Sequence, residues 1–243
     1  MAGRGPPMIG VLDPDDLLDG RLPPGTVELT EPPFGESPVP KSVLVVGESG
    51  LLAAVDHEIE GPFLPVGLED GPPSVPLGSL DAALESLAEG RLKTVEYPTI
   101  QVESPHGSDR ALMDVTAVTA EPARISEYRA AKADGTVIDQ VRADGLVVSG
   151  PAGTPGYGTA AGAPHLDPAV RGLSVVPIAP FRTARPRWVV APPIEIEVAR
   201  RETPVSLVVD DTQVGRLPAH EPVTLDWGKN AAIAVVESSE ERF

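Results

Sequence analysis

Residues 144–162 read Asp-Gly-Leu-Val-Val-Ser-Gly-Pro-Ala-Gly-Thr-Pro-Gly-Tyr-Gly-Thr-Ala-Ala-Gly. The run from Leu146 to Val148 is apolar, the composition of a buried strand. It ends in a loop punctuated by Pro and Gly, and from Gly158 to Gly162 the residues turn small and helix-compatible. Strand, glycine-rich loop and helix start together let a backbone approach a ligand closely and aim its N–H groups at it. A plain Gly/Pro turn between two strands would use the same residue types, so the composition of the segment leaves both readings open.

On either side of it, 29 prolines and 24 glycines call for short elements and frequent turns, which favours strands over long helices. Residues 8–12 and 43–46 are continuous apolar runs, typical of strands buried on both faces of a parallel sheet. One short strand is expected at Thr26–Thr30. Gly47-Glu48-Ser49-Gly50 then reads as a turn, followed by helix-like Leu51–Val55. The best helical pattern is 79–89, with Ser79 as N-cap and Gly90 just past the C-terminus. From Tyr97 onward the period changes to two, with strands expected at 100–103, 112–119, 124–130, 136–141, 146–149, 173–178, 188–190, 194–200, 206–210, 223–226 and 232–237. The reading is a small α/β domain over 1–92 and an all-β sandwich over 93–243.

Charge and composition narrow the function. The chain carries 36 acidic residues against 19 basic ones, a net charge of −17, which argues against binding to nucleic acid or to anionic membranes. Only four of the basic residues are Lys (Lys41, Lys93, Lys132 and Lys229). An acidic, Arg-preferring surface suits a salt-rich cytosol, and a GC-rich genome would give a similar bias. There are no cysteines, so disulfides and thiolate metal sites are excluded. No signal-peptide core or 18-residue apolar window occurs, and the expected location is cytoplasmic. His57, His106, His165 and His220 are scattered without metal-ligand spacing, so no metal-ligating residue is assigned. Walker A, Gly-x-Gly-x-x-Gly and Gly-x-Ser-x-Gly signatures are missing too, which leaves nucleotide binding through such a loop, and Ser-hydrolase chemistry, without support.

The 144–157 stretch resembles the signature block of the NAD kinase family, Asp-Gly-hydrophobic-Ser-Thr-Pro-Thr-Gly-Ser-Thr-Ala-Tyr. Asp144, Gly145, Ser149, Pro151, Gly153 and Tyr157 fall in register with it. The resemblance extends over about residues 40–215. It implies a small α/β domain coupled to a β-sandwich, and phosphoryl transfer from ATP or polyphosphate to the 2′-hydroxyl of NAD. Mg²⁺ would act through the nucleotide phosphates. The implied partner is a small-molecule dinucleotide, and a homo-oligomer is expected.

By the same resemblance, Arg142 and Asp144 occupy dinucleotide-contacting positions, and Tyr157, Gly158 and Thr159 a nucleotide-binding turn that begins past Gly153. Asp114 keeps the acid of the family's Asn-Glu pair, with Met113 in place of the amide. Arg124 falls at a phosphate-contacting position, a natural role for a guanidinium. Asp210-Asp211-Thr212-Gln213 echoes the family's Asp-Gly-Gln turn, which makes Gln213 a candidate. Read alone, these residues would serve as well for packing (Tyr157), a surface acid (Asp114), a solvated cation (Arg124) or a hairpin turn (Gln213). The family's Gly-Gly-Asp-Gly hallmark is represented by Gly47-Glu48-Ser49-Gly50, so Ser49 stands where the catalytic Asp belongs. Glu48 and Ser49 are therefore the catalytic candidates, with Gly47 and Gly50 as the phosphate-approaching glycines. Whether the chain is an enzyme stays open on this point, and the alternative is a degenerate paralogue that binds nucleotide in a regulatory role. Asp114, Arg142, Asp144 and Tyr157 are expected to line one cleft with residues 47–50.

Overall fold

Continuous apolar runs need cover on two faces, and the first part of the chain supplies it. The structure is a computed structural model that describes residues 9–29, 41–59, 61–121, 124–153, 158–183 and 186–240. Strands β1 (Ile9–Leu12), β2 (Thr26–Glu28), β3 (Ser42–Val46) and β4 (Phe63–Val66) form a parallel sheet in the order β2-β1-β3-β4. Helix α1 (Gly47–Asp56) packs against β1, β3 and β4. Helix α2 (Leu80–Ala88) covers the cluster of Leu44, Val46, Leu64 and Val66 with Ala83 and Leu87. The alternate residues of β3, Val43 and Val45, are fully buried as well, so both faces of that strand are dry.

Two local readings change. Residues 47–50 are not a turn ahead of the helix but its first turn. Gly47 has φ +68, a left-handed conformation that lets the chain pass directly from β3 into α1. Ser79 does precede α2, but its side chain makes no capping hydrogen bond, because a 3-10 turn over Leu77–Ser79 leads into the helix. The strand β4 was not foreseen, since Pro65 interrupts its apolar run.

The second part is built from strands throughout. In chain order these are β5 (Lys93–Ser104), β6 (Gly107–Ala111), β7 (Asp114–Thr119), β8 (Ser126–Lys132), β9 (Val137–Ala143), β10 (Gly145–Ser149), β11 (Leu173–Ile178), β12 (Trp188–Val190), β13 (Ile194–Arg200), β14 (Val205–Val209), β15 (Thr212–Leu217) and β16 (Val223–Val235). One antiparallel sheet runs β12-β11-β10-β7-β14-β15. The facing layer runs β16-β13-β8-β9, with β5 beside β16 and β6 beside β5. Tyr128, Ile100, Leu146, Leu173, Ile194, Ile196, Leu207, Leu217 and Leu225 interdigitate between the layers, none more than 1% exposed. The Tyr128 hydroxyl satisfies itself by donating to the Asp144 carbonyl at 3.2 Å. Burial, with the Asp144 charge adding to it, pushes that phenol well above its ordinary pKa.

Among the described residues the chain forms two units, one ending at Tyr97 but including residues from Ala231 onward, the other Pro98–Asn230. An expected divide at 92/93 had placed the whole C-terminal part in the second unit. The return arises because β16 is a single 13-residue strand where the sequence suggested two separate ones. The polar Gly228-Lys229-Asn230 stretch looks like a break, yet Thr99 donates its hydroxyl to the Lys229 carbonyl at 2.6 Å and the strand continues. Ile233 then pairs with Phe63, and Ala234 and Val236 enter the core of the first unit. No helix of the described residues is long and apolar enough to cross a membrane.

Candidate functional site

Four buried polar side chains of the second unit share one face of β7, β10 and β11. Successive side chains of a strand alternate faces. Val115 and Ala117 of β7, Leu146 and Val148 of β10, and Leu173 and Val175 of β11 point into the sandwich. The opposite phase therefore carries Asp114, Thr116, Ser149 and Ser174, which are 7%, 4%, 1% and 0% exposed. Registers Ser149↔Asp114 and Ser149↔Ser174 place three of them in one row across the sheet. Thr116 donates its hydroxyl to Asp114 Oδ1 at 3.0 Å. Among the described residues the buried Ser149 and Ser174 hydroxyls find no hydrogen-bond partner, which is uncommon for buried polar groups.

Two backbone segments close on this row. The Gly150 N–H donates to the Met113 carbonyl at 3.0 Å. At Gly153 a Cβ would lie 2.1 Å from the Met113 carbonyl oxygen and 2.3 Å from its carbon, so no other residue fits there without moving the main chain. At Gly158 a Cβ would lie 2.6 Å from Ser149 Oγ. The backbone is helical over 158–160, and Thr159 Oγ1 lies 3.4 Å from His165 Nε2. Asp114, Gly153 and Gly158 are thus brought together.

From the other side comes Asp210, in the two-residue turn between β14 and β15. Its φ of +51 is a turn conformation that Asp tolerates. Its Oδ2 accepts the Leu112 N–H at 2.8 Å, and its Oδ1 accepts those of Met113 and Asp114 at 2.7 and 3.0 Å. Its own N–H donates to the Asp114 carbonyl at 2.8 Å. The residue as a whole is half-exposed, but its carboxylate is turned inward. Burial raises its pKa to about 7 in spite of the three N–H donors, and the Asp114 charge adds to the rise.

A fold of this kind, with buried polar residues gathered around Asp114 and Ser149, can be set beside known proteins. The family described as the ATP-NAD kinase C-terminal domain matches residues 112–236. The chain belongs to this family. An NAD kinase from Methanospirillum hungatei JF-1 is 26% identical over 97% of the chain and 80% of its own length. Among solved structures, an Archaeoglobus fulgidus NAD kinase in complex with ATP superposes with a TM-score of 0.69 and 18% identity, covering 95% of this chain and 93% of that one. Yeast NADH kinase complexed with NADH gives a TM-score of 0.70 and 15% identity over 82% and 62% of the two chains. At those identities the structural likeness shows the fold, an NAD kinase-like α/β unit plus β-sandwich. With the first curated relatives that it matches, the chain spans about half their length or less.

The matched segment contains Asp114, Arg124, Arg142, Asp144, Gly153, Gly158, Thr159 and Gln213, whereas Gly47–Gly50 lies outside it. Not all of these residues meet. Asp144 precedes β10 and Asp114 faces Ser149 at its other end, so five strand residues, roughly 17 Å, separate them. Asp144 instead sits where its carbonyl accepts the Thr119 N–H at 2.9 Å, and the exposed Arg142 is next to it. Arg124 is exposed and pairs with Glu121 at 3.7 Å. Gln213 is exposed on β15. Tyr157, also expected at the site, lies outside the described residues. In the first unit Gly50 is buried against the Leu12 carbonyl, Glu48 is exposed and Ser49 half-buried.

Asp210 and Ser174 were not singled out by sequence reasoning. Ser174 is the one polar residue of the apolar run Leu173–Ile178, which carried no alternation to mark it. Asp210 stood only as the first residue of Asp210-Asp211-Thr212-Gln213, the stretch that resembles the family's Asp-Gly-Gln turn and in which Gln213 alone was taken as a candidate.

Proposed function

We propose that the chain acts as an NAD kinase, binding NAD with ATP or polyphosphate and making NADP. The observation that carries this reading is the coincidence of the family match over 112–236 with the buried cluster at Asp114, Gly153 and Gly158. The complexes of its structural neighbours with ATP and NADH support the choice of ligands. In the reaction the 2′-hydroxyl oxygen of NAD forms a bond to the terminal phosphorus, the bridging P–O bond of the donor breaks, and the hydroxyl proton leaves to a base.

The residues divide the work. Asp114 accepts hydrogen bonds from ribose hydroxyls. Gly153 and Gly158 let the loop pack closely against Met113 and Ser149, and the small turn through Thr159 offers main-chain N–H groups to the nucleotide. Arg124, Arg142, Asp144, Tyr157 and Gln213 contribute the remaining nucleotide contacts. Residues 47–50 present the acceptor hydroxyl to Glu48, the nearest carboxylate in sequence to Ser49. Among the described residues no three His, Cys, Asp or Glu side chains gather as metal ligands. Any Mg²⁺ belongs with the nucleotide phosphates, and no step here runs through it.

Ser49 favours a second reading, in which the chain binds nucleotide but turns over poorly, because a hydroxyl is a weak base at neutral pH. We place the protein in a salt-rich cytoplasm as a homo-oligomer. An NADP-formation assay in molar KCl, with ATP and with polyphosphate, decides between the readings. Turnover supports the kinase, NAD binding without turnover the degenerate paralogue, and neither would sink both.

A further inference from the structure

The segment 112–114 is not a regular strand residue by residue. β6 ends at Ala111 and β7 begins at Asp114, leaving Leu112 and Met113 between them. Their N–H groups, with that of Asp114, would lack partners in the sheet at this point. One carboxylate takes all three: Asp210, 96 to 98 residues further along the chain. Buried backbone donors must be satisfied, and bonds to an ionised acceptor are the shorter and stronger kind. The Asp210 N–H returns the contact at the Asp114 carbonyl. The segment is thus held by both ends of one residue, and the opposite side of Met113 is packed by Gly153.

We propose that Asp210 is the positioning residue of the dinucleotide site, fixing the Asp114 carboxylate and the Met113 main chain through its three accepted N–H bonds. The proposal rests on the reading of this end of the sandwich as the NAD site. Asp210 touches no ligand in this account. It acts through Asp114.

The clamp depends on charge. The ionised carboxylate offers lone pairs to all three N–H groups, whereas a protonated one gives up part of that capacity to its own O–H. Asp114 on β7 is the titratable group that acts on Asp210. Asp109 and Arg110 on β6, Asp211 in the turn and Arg216 on β15 are the other charged residues of the elements that meet here. Burial places the change near neutral pH, at about 7. NAD affinity should therefore rise as pH increases through that value.

The test is NAD binding by calorimetry to the full chain, from about pH 6 to about pH 8, for wild type and Asp210→Asn. The Asn side chain keeps the size but turns an N–H₂ group toward one of the backbone donors. The expected result is an affinity at least about 10-fold lower for the variant at the upper pH, equal to the loss of one charge-assisted bond. Wild-type affinity should climb across the range while the variant stays flat, with unfolding midpoints of the two compared at each pH. Equal affinities within about twofold, with wild type binding well, would overturn the role of Asp210 and leave the site itself standing. If the variant does not fold, the wild-type profile decides: a flat one overturns the proposal. No NAD binding by wild type at any pH overturns the reading of the site, and the proposal with it.

Discussion

Replacing Gly153 by Ala adds a single methyl group at the tightest point of the site. That Cβ would stand 2.1 Å from the Met113 carbonyl oxygen, 2.3 Å from its carbon and 2.7 Å from its Cα. All three atoms are main chain, so no rotamer change can relieve the collision. Overpacking a well-filled interior costs about 1–3 kcal/mol, and a clash with fixed backbone belongs at the upper end. The Met113 carbonyl would have to withdraw from the Gly150 N–H, and the strain would pass into the three bonds to Asp210. A loss of about 2–3 kcal/mol corresponds to a fall of roughly 4–12 °C in unfolding midpoint for a chain of this size. Thermal and urea unfolding of Gly153→Ala against wild type would measure it. Gly78→Ala is the control, since its Cβ meets nothing within 4 Å. Because Gly153 and Asp210 act on one segment, the double variant Gly153→Ala/Asp210→Asn should be less destabilised than the sum of its parts. A Gly153→Ala midpoint equal to that of the control would refute the packing argument.

Salt should stabilise the protein, because 36 acids against 19 bases repel one another at low ionic strength; melts in rising KCl that stay flat or move down would remove the salt-adapted reading. In the NADP-formation assay Glu48→Gln should lower turnover by at least ~10²-fold with little change in NAD affinity if Glu48 takes the hydroxyl proton. In the poorly active reading, Ser49→Asp should instead raise the rate, and robust activity indifferent to both substitutions would show that the base lies elsewhere. Asp210 also bears on stability. Its carboxyl is raised from 3.8 to about 7 in the fold, so the folded protein holds a proton that the unfolded chain releases earlier. That contribution is complete below about pH 4 and lost as pH rises to about 7. The difference in melting midpoint between wild type and Asp210→Asn should shift toward the variant over this window, and a constant difference would count against the raised value.

What the sequence disclosed and what it withheld follow from how local each feature is. β10 was legible because Leu146–Val148 is an apolar run with turn residues on both sides, and α2 because its apolar residues recur at helical spacing. The register of Gly153 with a family motif marked it as a site residue, but the physical need for glycine there is the Met113 main chain, 40 positions earlier in sequence. Asp210 was visible only as the head of a turn resembling the family's Asp-Gly-Gln, and its positioning contacts were not, since every partner that makes it matter lies 96 to 98 residues away. The separation of Asp144 from Asp114 was equally invisible, because it follows from the pairing of β10 with β7 and not from either strand alone. These non-local contacts converge on one short segment. Leu112–Asp114 is bounded by the Gly150 N–H, by the missing side chain at Gly153 and by the Asp210 carboxylate. With its backbone fixed from three sides, the position of Asp114 is set by main-chain contacts and not by the side chain of Met113 beside it.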